Sequence, residues 1–169
     1  MNNGSTTETE LVSTVMDTPV GPLTIVVSAH GVRAILWPDE DPGRVRPATG
    51  STDPDHPVVV ATVAQLTEYF DGVREEFDLP LDPVGTDFQQ AAWSALRTIP
   101  YGTTVSYGEQ AARMGDRRKA RAVGAANGRN PISIVVPCHR VVGANGSLTG
   151  FAGGIDTKAW LLDHERRLL

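Results

Sequence analysis

Apolar residues fall in short β-branched runs over residues 12–37, and turn-forming residues separate the runs. STVMD (13–17), LTIVVS (23–28) and VRAILW (32–37) read as strands. PVGP (19–22) and AHG (29–31) read as the turns between them, so an antiparallel meander is predicted. Residues 38–57 are dense in Pro, Gly and Asp and read as loop. From residue 58 the period changes. Val59, Val63, Leu66, Tyr69 and Phe70 stand near helical spacing, and Gly72 ends that helix. FDLPLD (77–82) reads as a short edge strand, because Pro80 cannot donate to a ladder.

The second half reads as shorter helices. Thr86 caps a helix over 87–98, with Phe88, Ala92, Leu96 and Ile99 on one face and Pro100 at its end. Ser106 opens the next helix, Glu109 completes a capping box, and Gly115 is the stop. A third helix over 117–127 carries arginines outside and Ala122, Val123 and Ala126 on its buried side. ISIVV (132–136) is a continuous apolar run, expected as a buried strand or extended segment. A last helix, capped by Asp156 or Thr157, runs through Trp160, Leu161 and Leu162 to HERR. The expected class is α+β: a small N-terminal antiparallel sheet with a helix, then a helical C-terminal domain containing a helix-turn-helix. The expected division is a disordered tail (1–10), a scaffold (11–83) and a functional domain (84–169).

A net charge of −5 over 169 residues argues at first against nucleic acid, but the average hides an asymmetry. Residues 1–87 carry 4 basic and 15 acidic side chains, a net of −11; residues 88–169 carry 11 and 5, a net of +6. Arg113, Arg117, Arg118, Lys119, Arg121, Arg129 and Arg140 are opposed only by Asp116 in their stretch. Such a stripe suits a phosphate backbone, and two helices joined by a glycine turn with the second one basic is the helix-turn-helix pattern. The plainer reading is a solvated face on a helical pair. One cysteine makes no internal disulfide and fits a reducing cytoplasm. The first ten residues lack the basic and apolar regions of a secretory leader, and the apolar stretch at 58–64 is too short to span a bilayer. A cytoplasmic location is expected.

Cys138 stands in the run PCHR. A lone cysteine is more often inert than nucleophilic, but three features raise this one. His139 and Arg140 are expected to favour the thiolate. Pro137 stiffens the backbone ahead of it. Gly143, Gly146, Gly150, Gly153 and Gly154 imply close approach by something else, a ligand among the candidates. In an extended segment Cys138 and His139 point to opposite faces, so a bridging water is one route between them. Glu165, on the face of Leu161 and Leu162, is a candidate to orient a histidine; pairing with Arg166 or Arg167 is the plainer alternative. One cysteine and scattered histidines do not make a zinc ligand set, so no metal is expected.

Together, NPISIVVPCHRVVGANGSLTGFAGG, KAWLLDHE and GTDFQQAAWSALRTIPYGTTVSYGEQA resemble the O6-alkylguanine-DNA alkyltransferase family (methylated-DNA–protein-cysteine methyltransferases), closely over about residues 84–167. The resemblance implies irreversible, single-turnover transfer of an alkyl group from guanine O6 in double-stranded DNA to Cys138. It implies His139 as water-mediated base, Glu165 as its orienter, Asn130 as the brace of the active-site turn, and Tyr107 as the group that hydrogen-bonds and helps protonate the leaving guanine. Arg121 would enter the duplex where the damaged base has left, on a recognition helix in the minor groove. Arg117, Arg118, Ala122, Ala126 and Arg129 would complete the DNA face. Val136, Pro137, Phe151, Ala152 and Gly153 would line the substrate pocket. No cofactor and no membrane association are implied, and a monomer is expected. Cooperative binding on DNA, the range of alkyl groups and action on O4-alkylthymine stay open. Phe151-Ala152 departs from the family's usual tyrosine followed by a small, often hydroxyl-bearing or glycine residue, which puts pocket hydrogen bonding in question. With no cysteine before Cys138, the zinc site of some relatives is not expected. The rivals are a non-catalytic lesion-binding protein, a cysteine hydrolase and a transcription regulator.

Overall fold

The computed structural model describes residues 10–41, 43–45 and 50–167. The tail expected over 1–10 therefore lies, apart from Glu10, outside the described residues. Strands β1 (Val12–Met16), β2 (Leu23–Ser28) and β3 (Gly31–Leu36) form the predicted meander. The turn into β3 demands glycine. Gly31 has φ +144°, and a Cβ there would lie 2.5 Å from the Pro80 carbonyl oxygen. The sheet is not wholly antiparallel. β4 (Ser51–Thr52) pairs in parallel with β1, giving the order β3-β2-β1-β4. Two residues inside a Pro/Gly/Asp-rich stretch carry no strand pattern, so this pairing was invisible to periodicity. Residues 77–82 make a single bridge, Val32 to Leu81, on the β3 edge rather than a strand.

Helix α1 (Pro57–Phe70) covers the sheet with Val59, Thr62, Leu66 and Tyr69 buried. Helix α2 (Asp87–Leu96) starts at a full capping box, Thr86 with Gln89, and α3 (Tyr107–Arg113) at another, Ser106 with Glu109. Each box satisfies two amides that a helix start otherwise leaves unpaired. Gly115, at φ +109°, makes the left-handed exit after α3. The predicted third helix is shorter at its start. Asp116 caps a 3₁₀ turn over Arg117–Lys119, and α4 (Ala120–Gly128) follows. Buried polar contacts lock this trio. The Trp93 indole donates to the Ala126 carbonyl at 2.8 Å, and the Gln110 and Asn127 amides bond each other at 2.8 and 3.1 Å.

Two further short strands, β5 (Val105–Ser106) and β6 (Val141–Val142), pair in parallel. They yoke the start of α3 to the segment that follows Cys138. Helix α5 (Ile155–Arg167) begins one residue earlier than Asp156 and closes the chain over both halves. One apolar cluster runs from Leu23 and Ile25 of the sheet through Leu66 and Leu96 to Leu161. Among the described residues, no helix is long and apolar enough to cross a membrane.

Candidate active site

ISIVV is buried, as its composition requires, but it is not a strand. The Asn130 side chain accepts from the Ile132 amide at 3.0 Å and donates to the Val136 carbonyl at 2.8 Å. The chain is thereby folded into a compact turn, with Ile134 at φ +75°. A β-branched residue in that region costs roughly 1–3 kcal/mol and persists only where its surroundings over-determine it. Here the brace and the burial of Ile132, Ile134, Val135 and Val136 do so. The turn delivers Cys138 into a 3₁₀ segment, Cys138–Arg140, rather than an extended one. Side-chain direction therefore follows the turn and not strand alternation.

His139 is fully buried, and its Nε2 lies 2.6 Å from Glu165 Oε2. With Glu165 ionised, Nε2 carries the proton and donates, so Nδ1 holds the free lone pair. Nδ1 has no hydrogen-bond partner among the described residues. Glu165 is the hub of the site. It also accepts from Tyr69 Oη at 2.7 Å, from Arg140 Nε and Nη2 at 2.8 and 3.0 Å, and weakly from the Gly102 amide at 3.4 Å. Its arginine partner among the described side chains is thus buried Arg140. Burial alone would raise the Glu165 carboxyl, but the contacts with His139 and Arg140 outweigh it and hold the group well below the usual carboxylate range. Burial likewise pushes the His139 imidazole below its ordinary value, with Glu165 offsetting part of the effect. His139 is therefore a neutral base at rest.

Cys138 is half-buried. Burial pushes its thiol up, against the opposing pull of an Asn130 hydrogen bond and the charges of Arg44 and Lys158. The expectation that His139 and Arg140 create a resting thiolate is corrected. His139 is neutral, and Arg140 is spent on Glu165. The cations that act on the sulfur come from elsewhere. Arg44 is paired with Glu40 and donates to the carbonyls of Asn130 at 2.8 Å and Gly128 at 3.3 Å. Lys158 is buried and donates to the Val141 carbonyl at 2.7 Å. Sequence reasoning missed both, together with Tyr69. Lys158 stands one residue ahead of AWLLDHE on a helix with an apolar face, the one local hint that it turns inward.

A recess of about 30 Å³ opens over Cys138, walled by Arg44, Tyr107, Gly124, Asn127, Gly128, Gly150, Phe151 and Ala152. Phe151 and Ala152, two of the five residues expected at a substrate pocket, line this recess. Val136, Pro137 and Gly153 do not: Val136 is buried in the core, and Pro137 lines a separate cleft with Tyr101 and Arg140. Gly153 presses on the Trp37 indole, so its close approach serves protein and not ligand. The Tyr107 hydroxyl shares a 2.6 Å hydrogen bond with Thr149 Oγ1.

Arg113, Arg117, Arg118, Lys119 and Arg121 are all exposed along α3, the 3₁₀ turn and α4. Arg118 is bound to Asp116 at 3.0 Å. Ala122 and Ala126, each read both as buried side and as DNA face, take different places. Ala122 is exposed, against the buried-side reading, while Ala126 is 3% exposed and packs inside, against the DNA-face reading. The buried face of α4 is Val123, Ala126 and Asn127, at i, i+3 and i+4 spacing, and Ala122 falls outside it. Arg129 is exposed but donates to the Gly43 carbonyl at 3.1 Å, tying the end of α4 to the 43–45 loop. Among the described residues, no group of His, Cys, Asp and Glu could hold a metal ion.

Fold and site together define a class: a protein that presents one cysteine, backed by a buried histidine–glutamate couple, beside an exposed basic helix. Family models for the 6-O-methylguanine DNA methyltransferase match it twice, the ribonuclease-like domain over residues 11–83 and the DNA-binding domain over 87–167. The methylated-DNA–protein-cysteine methyltransferase of Mycobacterium tuberculosis is 49% identical over 155 residues, 89% of this chain and 90% of its own length. That of Shigella flexneri is 43% identical over 165 residues, 90% and 94% of the two chains. A crystal structure of the Mycobacterium tuberculosis O6-methylguanine methyltransferase matches with a TM-score of 0.83 at 46% identity, covering 94% of each chain. A structure of the Mycobacterium tuberculosis protein in complex with DNA matches with the same score at 45% identity. The chain belongs to the 6-O-methylguanine DNA methyltransferase family.

Proposed function

We propose that this protein repairs alkylated guanine in double-stranded DNA by moving the alkyl group irreversibly from O6 to Sγ of Cys138. One observation carries the reading. Helix α4 presents Arg121 outward and, through Gly124, Asn127 and Gly128, walls the recess over Cys138. A duplex held on that helix therefore lies beside the nucleophile. Residues 11–83 then act as scaffold and 84–169 as the DNA-binding and acceptor domain, with α3 and α4 as a helix-turn-helix. The location is the cytoplasm, where a lone thiol stays reduced.

In the stack, the O6 substituent is out of reach of in-line attack, so the nucleotide must be flipped out, at a cost of roughly a few kcal/mol. Arg121 offsets part of that cost by filling the gap. The recess holds about one water's volume, so a base enters only if its walls part. Releasing the Tyr107–Thr149 bond frees the Tyr107 hydroxyl for the guanine. The thiol proton passes to His139 Nδ1, directly or through one water, and Glu165 stabilises the imidazolium. The thiolate attacks the alkyl carbon as the carbon–O6 bond breaks. The bonding electrons pass to guanine, which takes a proton through Tyr107, and His139 returns its proton to solvent. The thioether is stable to water, so each chain acts once. A thiol held protonated at rest, with the base beside it, suits a protein that must survive until it meets a lesion.

Mass measurement after incubation with a methylated duplex tests this. One methyl per chain on the Cys138 peptide is expected. Multiple turnover, or a methyl elsewhere, overturns it. Cys138→Ser retains DNA binding and loses transfer.

A further inference from the structure

The recess over Cys138 is walled on one side by Phe151, and what stands behind Phe151 comes from the other half of the chain. Trp37, at the end of β3, is 4% exposed. Its ring meets Phe151 edge to face at a centroid distance of 5.5 Å and an interplanar angle of 65°. The Gly153 Cα lies so close that a methyl there would come within 2.8 Å of the indole. The indole Nε1 donates to Ser133 Oγ at 3.1 Å, anchoring the ring to the Asn130-braced turn. Trp37 also reaches a second wall. Its amide donates to Glu40 at 3.2 Å, and Glu40 holds Arg44, which also lines the recess.

We infer that Trp37 is a specificity-determining residue, setting from behind how far Phe151 can retreat and so which alkyl groups Cys138 accepts. The inference rests on the reading of the recess as the alkyl pocket. A rigid indole pinned at Nε1 and packed against Gly153 leaves the 151–153 segment no room to move toward the sheet. The walls that part to admit a base open on this side only as far as Trp37 lets Phe151 retreat. A bulky group then fits only by displacing Phe151 into space that Trp37 occupies. Close-packed interiors resist such displacement, and a surplus of one methylene in a tight apolar pocket changes rates by about 10–200-fold.

The test compares single-turnover rates on duplexes carrying O6-methylguanine and O6-benzylguanine, for the wild type, Trp37→Leu, Trp37→Phe and Phe151→Leu. In Trp37→Leu the benzyl-to-methyl rate ratio should rise about tenfold, with a smaller rise in Trp37→Phe. The methyl rate should change much less than the ratio. Phe151→Leu separates the two levels of the argument. A ratio that moves with Phe151→Leu but with neither Trp37 variant overturns the role of Trp37 alone. A ratio unmoved by all three overturns the pocket reading and this inference with it. Trp37→Phe keeps an aromatic ring in the core, so the comparison survives if Trp37→Leu does not fold.

Discussion

Replacing Glu165 by Gln keeps the side-chain shape and removes the charge on which the site is built. The carboxylate is wholly buried and accepts from Tyr69, His139 and Arg140 at 2.6–3.0 Å. An amide has to turn an NH₂ group toward one of those oxygen positions, where donors already point. It also strands the Arg140 guanidinium, 6% exposed, without its only carboxylate partner among the described residues. Breaking a buried pair in this way costs about 3–5 kcal/mol. Net stability is only about 5–15 kcal/mol, so a large share is lost. At about 2–4 °C per kcal/mol for a chain of this size, Tm should fall by about 6–20 °C. Urea denaturation at neutral pH, with an unchanged m-value, measures the loss directly. Adding Arg140→Met should recover part of it, because the stranded charge is gone. A loss below about 1 kcal/mol, or no recovery in the double variant, would refute the picture of a buried ionic hub.

Acid should destabilise the protein in two stages. The folded-state value of His139 is lowered, so below about pH 6.5 the unfolded chain takes up the proton first and stability falls. Glu165 is also lowered, so its contribution is present above about pH 4.3 and is lost as pH falls below that. Urea midpoints between pH 8 and 3 check both, and a flat profile contradicts them. Arg121→Ala should slow repair of a duplex far more than repair of a single strand, as single-turnover rates on the two will show; equal slowing assigns Arg121 to packing or chemistry. DNA affinity should fall steeply with salt, and Arg117→Ala should shallow the log–log slope by about one. Arg118→Ala should shallow it less, since that guanidinium is already held by Asp116.

Local chemistry determined much of this protein and was readable along the chain. The meander of β1 to β3, the start of α2 at Thr86, the capping box at Ser106 and Glu109 and the exit at Gly115 depend on neighbours within a few residues. The family resemblance carried by PCHR and its flanking segments implied Cys138, His139, Glu165 and Asn130 as one set, and the structure brings them together. What the chain did not disclose are contacts whose energy arises only when distant segments meet. ISIVV has the composition of a strand, yet Asn130 closes it into a turn, because two side-chain hydrogen bonds outweigh a propensity worth about 1 kcal/mol at most. β4 pairs through two residues that carry no pattern. Tyr69 on Glu165, Trp37 behind Phe151, and Arg44 and Lys158 beside Cys138 each join segments far apart in the chain. Hydrophobic periodicity says that Tyr69 and Trp37 face inward. Only the packed tertiary structure decides which oxygen or which ring they meet, because a buried polar group takes whatever partner the fold puts within reach.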